Sequence, residues 1–189
     1  ADLLMAQDDA MDPAAAAQAF VSGDRGVASV EEALAGAMDI LAERVSEDPD
    51  SRQETRRLFA RKAVLTSACA RGKEEEGAKY RDYFELEESA ASMPSHRVLA
   101  ILRGEREGFL TTSAAPPEEE AISLLKRRFV RGAGAASRMV AAAVEDGYKR
   151  LLRKSIETEL RGAMKKRADA DAIRVFAENV REVLMSAPM

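Results

Sequence analysis

An all-α fold, an irregular assembly of several helices with at most one short strand pair near 109–113, is what this sequence predicts. Three observations predict it. Ala is the most abundant residue while Val and Ile are sparse, a balance that favours helix over sheet. Aromatic residues are only 5% of the chain, with no Trp. Apolar residues recur at three- and four-residue spacing over long stretches, the period of a helix with one buried face. At 189 residues the chain has room for one ordinary domain or two small ones.

The elements follow in order. Residues 1–27 open with the apolar Leu3-Leu4-Met5 and continue as a polar, Asp- and Ala-rich connector, read as a partly extended opening segment. Ser29-Val30-Glu31-Glu32 has the form of a capping box and starts a helix over 30–46. Its apolar stripe is Val30, Ala33, Leu34, Ala37, Met38, Leu41 and Val45. Asp50 caps a second helix over 51–68, with Leu58, Leu65 and Cys69 on its inner side. A charged loop, 71–77, leads to a short helix over 78–83 carrying Tyr80 and Tyr83. Pro94-Ser95 opens a helix to about residue 106, and 109–112 is the one plausible strand.

Pro116-Pro117 is the best internal boundary, dividing 1–115, a helical region with its opening segment, from 116–189, a basic helical region with a long final helix. From Glu118 the chain reads as helical nearly to its end, interrupted at Gly132-Ala133-Gly134. Val140, Val144, Tyr148, Leu152, Ile156, Leu160, Met164, Ala168, Ala172, Phe176, Val180 and Leu184 then fall on every fourth position. A step of four overshoots one helical turn by about 40°. A straight helix cannot keep such a stripe on one partner, so a break is expected near Ser155, with a second candidate at Ala168-Asp169.

Composition removes several classes. One Cys and one His exclude an intramolecular disulfide framework, a cysteine zinc cluster and two-histidine metal motifs. No apolar run is long enough for a transmembrane helix and no secretory leader opens the chain, so a cytoplasmic protein without membrane contact is expected. The chain begins at Ala1 rather than Met and reads as a piece of a longer or processed protein.

Net charge is −4, but it is unevenly spread: residues 1–60 hold 5 basic and 13 acidic side chains, and 121–167 hold 13 basic and 4 acidic. Lys126, Arg127, Arg128, Arg131, Arg138, Lys149, Arg150, Arg153 and Lys154 are therefore the candidate nucleic-acid contacts. Lysine and arginine supply phosphate affinity without reading bases. The competing reading is a solvated helical face balanced by the acidic first third. Aromatic interleaving is poor, so no stacking platform for single strands is visible.

Gly132-Ala133-Gly134 before a helix has the small residues of a phosphate cradle. It lacks the third glycine, a preceding strand and a P-loop lysine, and reads better as a turn between helices. His96 has no identifiable nucleophile or orienting carboxylate and reads as a packed or capping residue. Glu74-Glu75-Glu76 and Asp8-Asp9 lack calcium-loop spacing and read as solvated charge. Cys69 reads as a small core residue. No catalytic residue, metal site or cofactor is expected.

Two long motifs carry more. Arg71-Gly72-Lys73-Glu74-Glu75-Glu76-Gly77-Ala78-Lys79-Tyr80-Arg81-Asp82-Tyr83-Phe84 is followed by Pro94-Ser95-His96-Arg97-Val98-Leu99-Ala100-Ile101-Leu102-Arg103-Gly104-Glu105-Arg106-Glu107-Gly108. Near the end stand Glu145-Asp146-Gly147-Tyr148-Lys149-Arg150-Leu151-Leu152 and Val175-Phe176-Ala177-Glu178-Asn179-Val180-Arg181. In this order they resemble the bacterial Tex family of transcription accessory proteins, over about residues 1–189. The resemblance implies a larger protein with a YqgF-type nuclease-like domain, helix-hairpin-helix motifs and a C-terminal S1 domain that carries much of the RNA binding. This chain resembles the helical part that precedes the YqgF-like domain.

Where the family often has Pro, this chain has Lys154, which implies a more continuous helix at the expected break. Tyr148-Lys149-Arg150 and Ser95-His96-Arg97 match family positions to which no catalytic role attaches. The function expected is thus a helical scaffold module with sequence-nonspecific backbone contacts to RNA or DNA. Its partners would be nucleic acid, its own YqgF-like and S1 domains, and the transcription machinery. The alternative is a protein-interaction scaffold without nucleic-acid affinity of its own.

Overall fold

The computed structural model describes residues 1–185, and the chain is mostly α-helical. Helices α1 (Asp2–Ala6) and α2 (Pro13–Gln18) lead, through a 3-10 turn at Gly23–Arg25, into α3 (Val30–Glu47) and α4 (Pro49–Lys62). Strand β1 (Val64–Cys69), a 3-10 helix at Ala78–Tyr83 and strand β2 (Glu85–Ser89) precede α5 (Ser95–Arg106) and β3 (Leu110–Ala115). Helices α6 (Glu118–Phe129) and α7 (Ala135–Asp146), a π-helical turn at Gly147–Leu152 and α8 (Arg153–Met185) complete the described chain. Two compact units form among the described residues, one from 1–58 with 117–156, the other from 59–116 with the described residues from 157 onward. The chain crosses between them at Pro116-Pro117 and twice elsewhere.

The capping box at Ser29 forms as read. The Glu32 N–H donates to Ser29 Oγ at 3.2 Å, and the Glu32 carboxylate accepts the Ala28 N–H at 2.7 Å. The opening segment is not extended as expected. Asp12 caps α2 by accepting the Ala14 N–H at 3.0 Å, and Pro13 stands at the first helical position, where its missing N–H is no loss. The buried faces of Leu4 and Ala17 hold both short helices in place.

The expected helix over 51–68 ends at Lys62, and 64–69 is a strand instead. Leu65 and Ser67 point inward while Thr66 and Ala68 are exposed, the alternation of a half-buried strand. A serine on the inner face hid that period. Strand β1 is central in the order β2-β1-β3, antiparallel to both neighbours, with Val64 opposite Ser89 and Cys69 opposite Leu110. Its pairing creates β2, whose Glu-rich sequence has little strand propensity of its own. The expected strand near 109–113 is therefore one of three.

The second unit's core gathers Phe59, Leu65, Val98, Ile101, Leu110 and Ala114. The β3 edge is closed by α8: the Ala114 N–H donates to the Glu157 carboxylate at 2.6 Å, and Arg161 pairs with Glu105. Ser95 Oγ donates to Asp171 at 2.5 Å, and the Arg167 guanidinium donates to the carbonyls of Ala91 and Met93.

The first unit is built around α3 and α7. Leu41, Ala42 and Val45 meet Val140, Ala143, Val144 and Tyr148, all buried. No break occurs at Ser155 or at Ala168-Asp169, since α8 runs unbroken through both. The four-residue stripe is accommodated upstream, at the π-helical turn. A π turn takes about one more residue per turn than an α turn, which rotates the stripe back and keeps Val140, Val144, Tyr148, Leu152 and Ile156 buried together. Beyond residue 172 the large apolar side chains of α8, from Ile173 to Met185, are exposed. No helix among the described residues is long and apolar enough to cross a membrane.

Candidate nucleic-acid interface

All the candidate cations lie in the first unit. Lys126, Arg127 and Arg128 form the last turn of α6, and Glu118, Glu119 and Glu120 its first. Both placements complement the helix dipole, so the helix has its own structural reason for a basic end. The chain leaves α6 under the control of Gln7, a buried residue in the left-handed region (φ 55°). The Gln7 amide donates to the Phe129 carbonyl at 2.7 Å, and its oxygen accepts the Arg131 N–H at 2.9 Å. This fixes the α6–α7 corner. The Arg138 guanidinium then donates to the Ala133 carbonyl at 2.8 Å.

Folding places the acidic first third of the sequence against the basic helices. Arg128 donates to Asp48 at 3.0 Å and to Asp50 at 2.6 Å. Arg150 reaches Asp39 and Asp146, each at 2.8 Å. Lys149 lies 3.2 Å and Arg153 3.5 Å from the carboxylate of Glu118. Lys126 pairs with Glu145. Lys154 is exposed on α8. Arg127, Arg131 and Arg138 are exposed and have no carboxylate partner among the described residues. The corner between α6 and α7 thus collects the cations free to meet an outside anion. The Gly132–Gly134 loop is no phosphate cradle: the Asp9 carboxylate fills the space where Gly134 would carry a Cβ and approaches Gly132.

The clamps show in the protonation equilibria. The Asp50 and Asp48 carboxylates raise the Arg128 pKa further, and Asp146 with Asp39 does the same for Arg150. The hydrogen bond from Lys126 holds the Glu145 carboxyl below its ordinary range. Burial would raise Asp48, but the Ser51 N–H and hydroxyl and the Arg128 guanidinium outweigh it, and Asp48 is lowered. A lowered carboxylate stabilises the fold above its unfolded-chain value, near 3.8 for Asp and 4.5 for Glu, and that stability is lost as pH falls through the lower folded value. Urea midpoints followed by circular dichroism are therefore expected to be flat from about pH 7 to 5 and to fall steeply below about pH 4. A midpoint unchanged at pH 3 would show that the clamps add nothing.

A second built cluster ties together the two sequence motifs of the second unit. The Tyr80 hydroxyl donates to Glu107 at 2.9 Å, and Lys79 Nζ lies 2.6 Å from the same carboxylate. Lys79 also sits over the rings of Tyr80 and Phe109, 5.1 and 5.6 Å from their centroids. Hydrogen bonds from Lys79 and Tyr80 lower Glu107, while burial, then Glu107, raises the Tyr80 phenol. Charge spacing alone did not single out this network. The signal available was the recurrence of tyrosine, lysine and glutamate beside glycines, at Gly77 and Gly104, that allow close packing. Gly104 would set a Cβ 2.6 Å from Leu110 and 3.1 Å from Tyr80. His96 is exposed on the first turn of α5 rather than packed. Cys69 is half-buried, and desolvation followed by Glu74 pushes its thiol up, away from thiolate reactivity.

Acidic and basic helices laced by ion pairs define a mostly helical unit with a basic corner, and the other unit holds a small three-stranded sheet. Residues 8–176 match the family described as Tex central region-like. The chain belongs to that family. It is 38% identical over 198 residues to the YhgF protein of Escherichia coli (strain K12), covering all of this chain and 26% of that protein. It is 34% identical to protein Tex of Bordetella pertussis over 202 residues and to the transcriptional accessory protein Tex of Neisseria gonorrhoeae over 196 residues. All of this chain and 25% of each relative are covered. The chain therefore spans about a quarter of the length of these relatives.

Proposed function

We propose that this chain is the helical scaffold module of a Tex-type transcription accessory protein that works in the cytoplasm, and that it touches RNA or DNA backbones through the α6–α7 corner. The observation carrying this reading is that Arg127, Arg131 and Arg138 stand exposed, without a carboxylate partner among the described residues, at a corner fixed by Gln7, while neighbouring cations are clamped. Such contacts neutralise phosphates without reading bases, so affinity depends steeply on salt and little on sequence. Lys126, Arg128, Lys149, Arg150 and Arg153 serve chiefly to hold the module together, and Lys154 extends the basic surface. The adjoining YqgF-like and S1 domains of a Tex-type protein and the transcription machinery are the further partners in this reading.

The test is binding of labelled single-stranded RNA and duplex DNA across a salt series. The wild type is expected to bind weakly, and the Arg127→Glu, Arg131→Glu, Arg138→Glu triple variant to lose binding and its salt slope. Each phosphate contact removed flattens the slope by about one unit. A pure protein-interaction scaffold is the second reading, favoured by the pairing of so many cations with internal carboxylates. No binding by the wild type at low salt would select it.

A further inference from the structure

The loop before α7 surrounds a small polar space in the first unit. Ser137, in the first turn of α7, is 1% exposed, and its hydroxyl has no hydrogen-bond partner. Its Oγ lies 3.1 Å from the point where Gly132 would carry a Cβ, and Asp9 Oδ1 lies 3.4 Å from the same point. The Asp9 carboxylate also takes the place of a Gly134 Cβ. Two residues without side chains thus leave the room in which a buried hydroxyl and a carboxylate converge without bonding. A buried donor left unpaired is costly, and the packing of α7 gives no reason for serine rather than alanine there.

Asp9 is held in this space by position alone. It is exposed on the turn between α1 and α2, and its side chain makes no hydrogen bond or ion pair among the described residues. The turn is closed by its neighbours: Asp8 Oδ1 accepts the Ala10 N–H at 2.9 Å, and the Asp8 carbonyl accepts the Met11 N–H at 3.1 Å. A carboxylate that served to cap α7 would accept one of its N–H groups, but the first turn has no side-chain cap. Arg131 and Arg138, at the two ends of the loop, are exposed and have no carboxylate partner among the described residues.

We propose that this loop is an oxyanion site held shut by Asp9, and that a phosphate group competes with the Asp9 carboxylate for it. As folded, Asp9 keeps phosphate out. A carboxylate and a phosphodiester each present two anionic oxygens, so the side chain stands in for the group it excludes. With Asp9 swung outward, a phosphate would meet the Ser137 hydroxyl, the first N–H groups of α7 and the flanking arginines. That the phosphate belongs to a nucleic-acid backbone rests on the reading given under Proposed function.

The test uses the whole chain in two arms. In the first, inorganic phosphate is titrated into isotope-labelled protein and the amide signals of Ala135, Ala136 and Ser137 are followed by NMR. Asp9→Ala is expected to fold with an unchanged Tm and to saturate at about tenfold lower phosphate than the wild type. Ser137→Ala should abolish that gain in the Asp9→Ala background and change little when Asp9 is present, a non-additivity that loss of one negative charge does not produce. Asp8→Asn removes the same charge one residue away and should give no such gain. In the second arm, labelled RNA and duplex DNA are titrated across a salt series, and Asp9→Ala should steepen the salt slope by about one unit.

Equal phosphate affinity of Asp9→Ala and wild type, an equal gain from Asp8→Asn, or a gain indifferent to Ser137 would overturn the proposal. An adventitious ion only, shifting amides throughout the molecule without saturating at 135–137, would do the same. Phosphate binding that obeys the cycle, with no nucleic-acid binding by any variant, would uphold the site with free phosphate as its ligand and sink the nucleic-acid reading instead.

Discussion

Replacing Gly147 by alanine is expected to destabilise the first unit by about 3 kcal/mol, the range of overpacking that a rigid neighbour cannot relieve. Gly147 opens the π-helical turn, and a Cβ there would lie 2.7 Å from the Ala42 carbonyl oxygen and 3.1 Å from the Ala42 Cα. Those are backbone atoms in the middle of α3, so no rotamer change makes room and the two helices must separate. Their separation would loosen Leu41, Val45, Val144 and Tyr148 together. Gly162→Ala provides the contrast. Gly162 is exposed on α8 and a Cβ there meets nothing within 4 Å, so its replacement is expected to stabilise by about 0.5–1 kcal/mol through helix propensity alone. Urea unfolding of both variants separates the two effects. Equal midpoints would mean that the α3–π-turn contact is looser than described.

Asp48→Ala is expected to cost about 2–3 kcal/mol, the sum of a lost helix cap and lost charge-assisted hydrogen bonds. A single oxygen, Asp48 Oδ2, accepts from the Ser51 N–H at 2.8 Å, the Ser51 hydroxyl at 2.8 Å and the Arg128 guanidinium at 3.0 Å. The residue therefore starts α4 and anchors the end of α6 at once. Asp48→Asn keeps an acceptor for the cap but loses the charge, and about half that cost is expected. Because the Asp48 carboxyl is lowered, the gap between wild type and Asp48→Asn should be full above about pH 5 and close as pH falls toward 2. A gap independent of pH would assign the residue to capping alone. Because Arg128 keeps Asp50, neither variant should match the effect of the corner arginines on nucleic-acid binding.

Local signals in the sequence determined much of this protein. The helices over 30–47, 95–106 and 118–129 carry their stripes and termini in adjacent residues, as Ser29 with Glu32 and Pro94-Ser95 show. The motifs at 71–84, 94–108, 145–152 and 175–181, in that order, together carried the family resemblance. The uneven charge was legible, but its use was not. Which cations are clamped depends on Asp39, Asp48 and Glu118, far from them in sequence. Only the packing of α3, α4, α6 and α7 decides those pairs and so leaves Arg127, Arg131 and Arg138 without a carboxylate partner among the described residues.

Strands β1 and β2 were likewise decided by tertiary structure. Strand pairing supplies hydrogen bonds that a Glu-rich or serine-interrupted segment does not signal locally. The unbroken α8 belongs to the same class. The step-of-four stripe called for a break, and a π-helical turn at Gly147, where α3 comes too close for any side chain, absorbed the drift instead. Short-range chemistry sets which segments become helices, and contacts between segments distant in sequence set which charges are spent inside the fold and which remain for a partner.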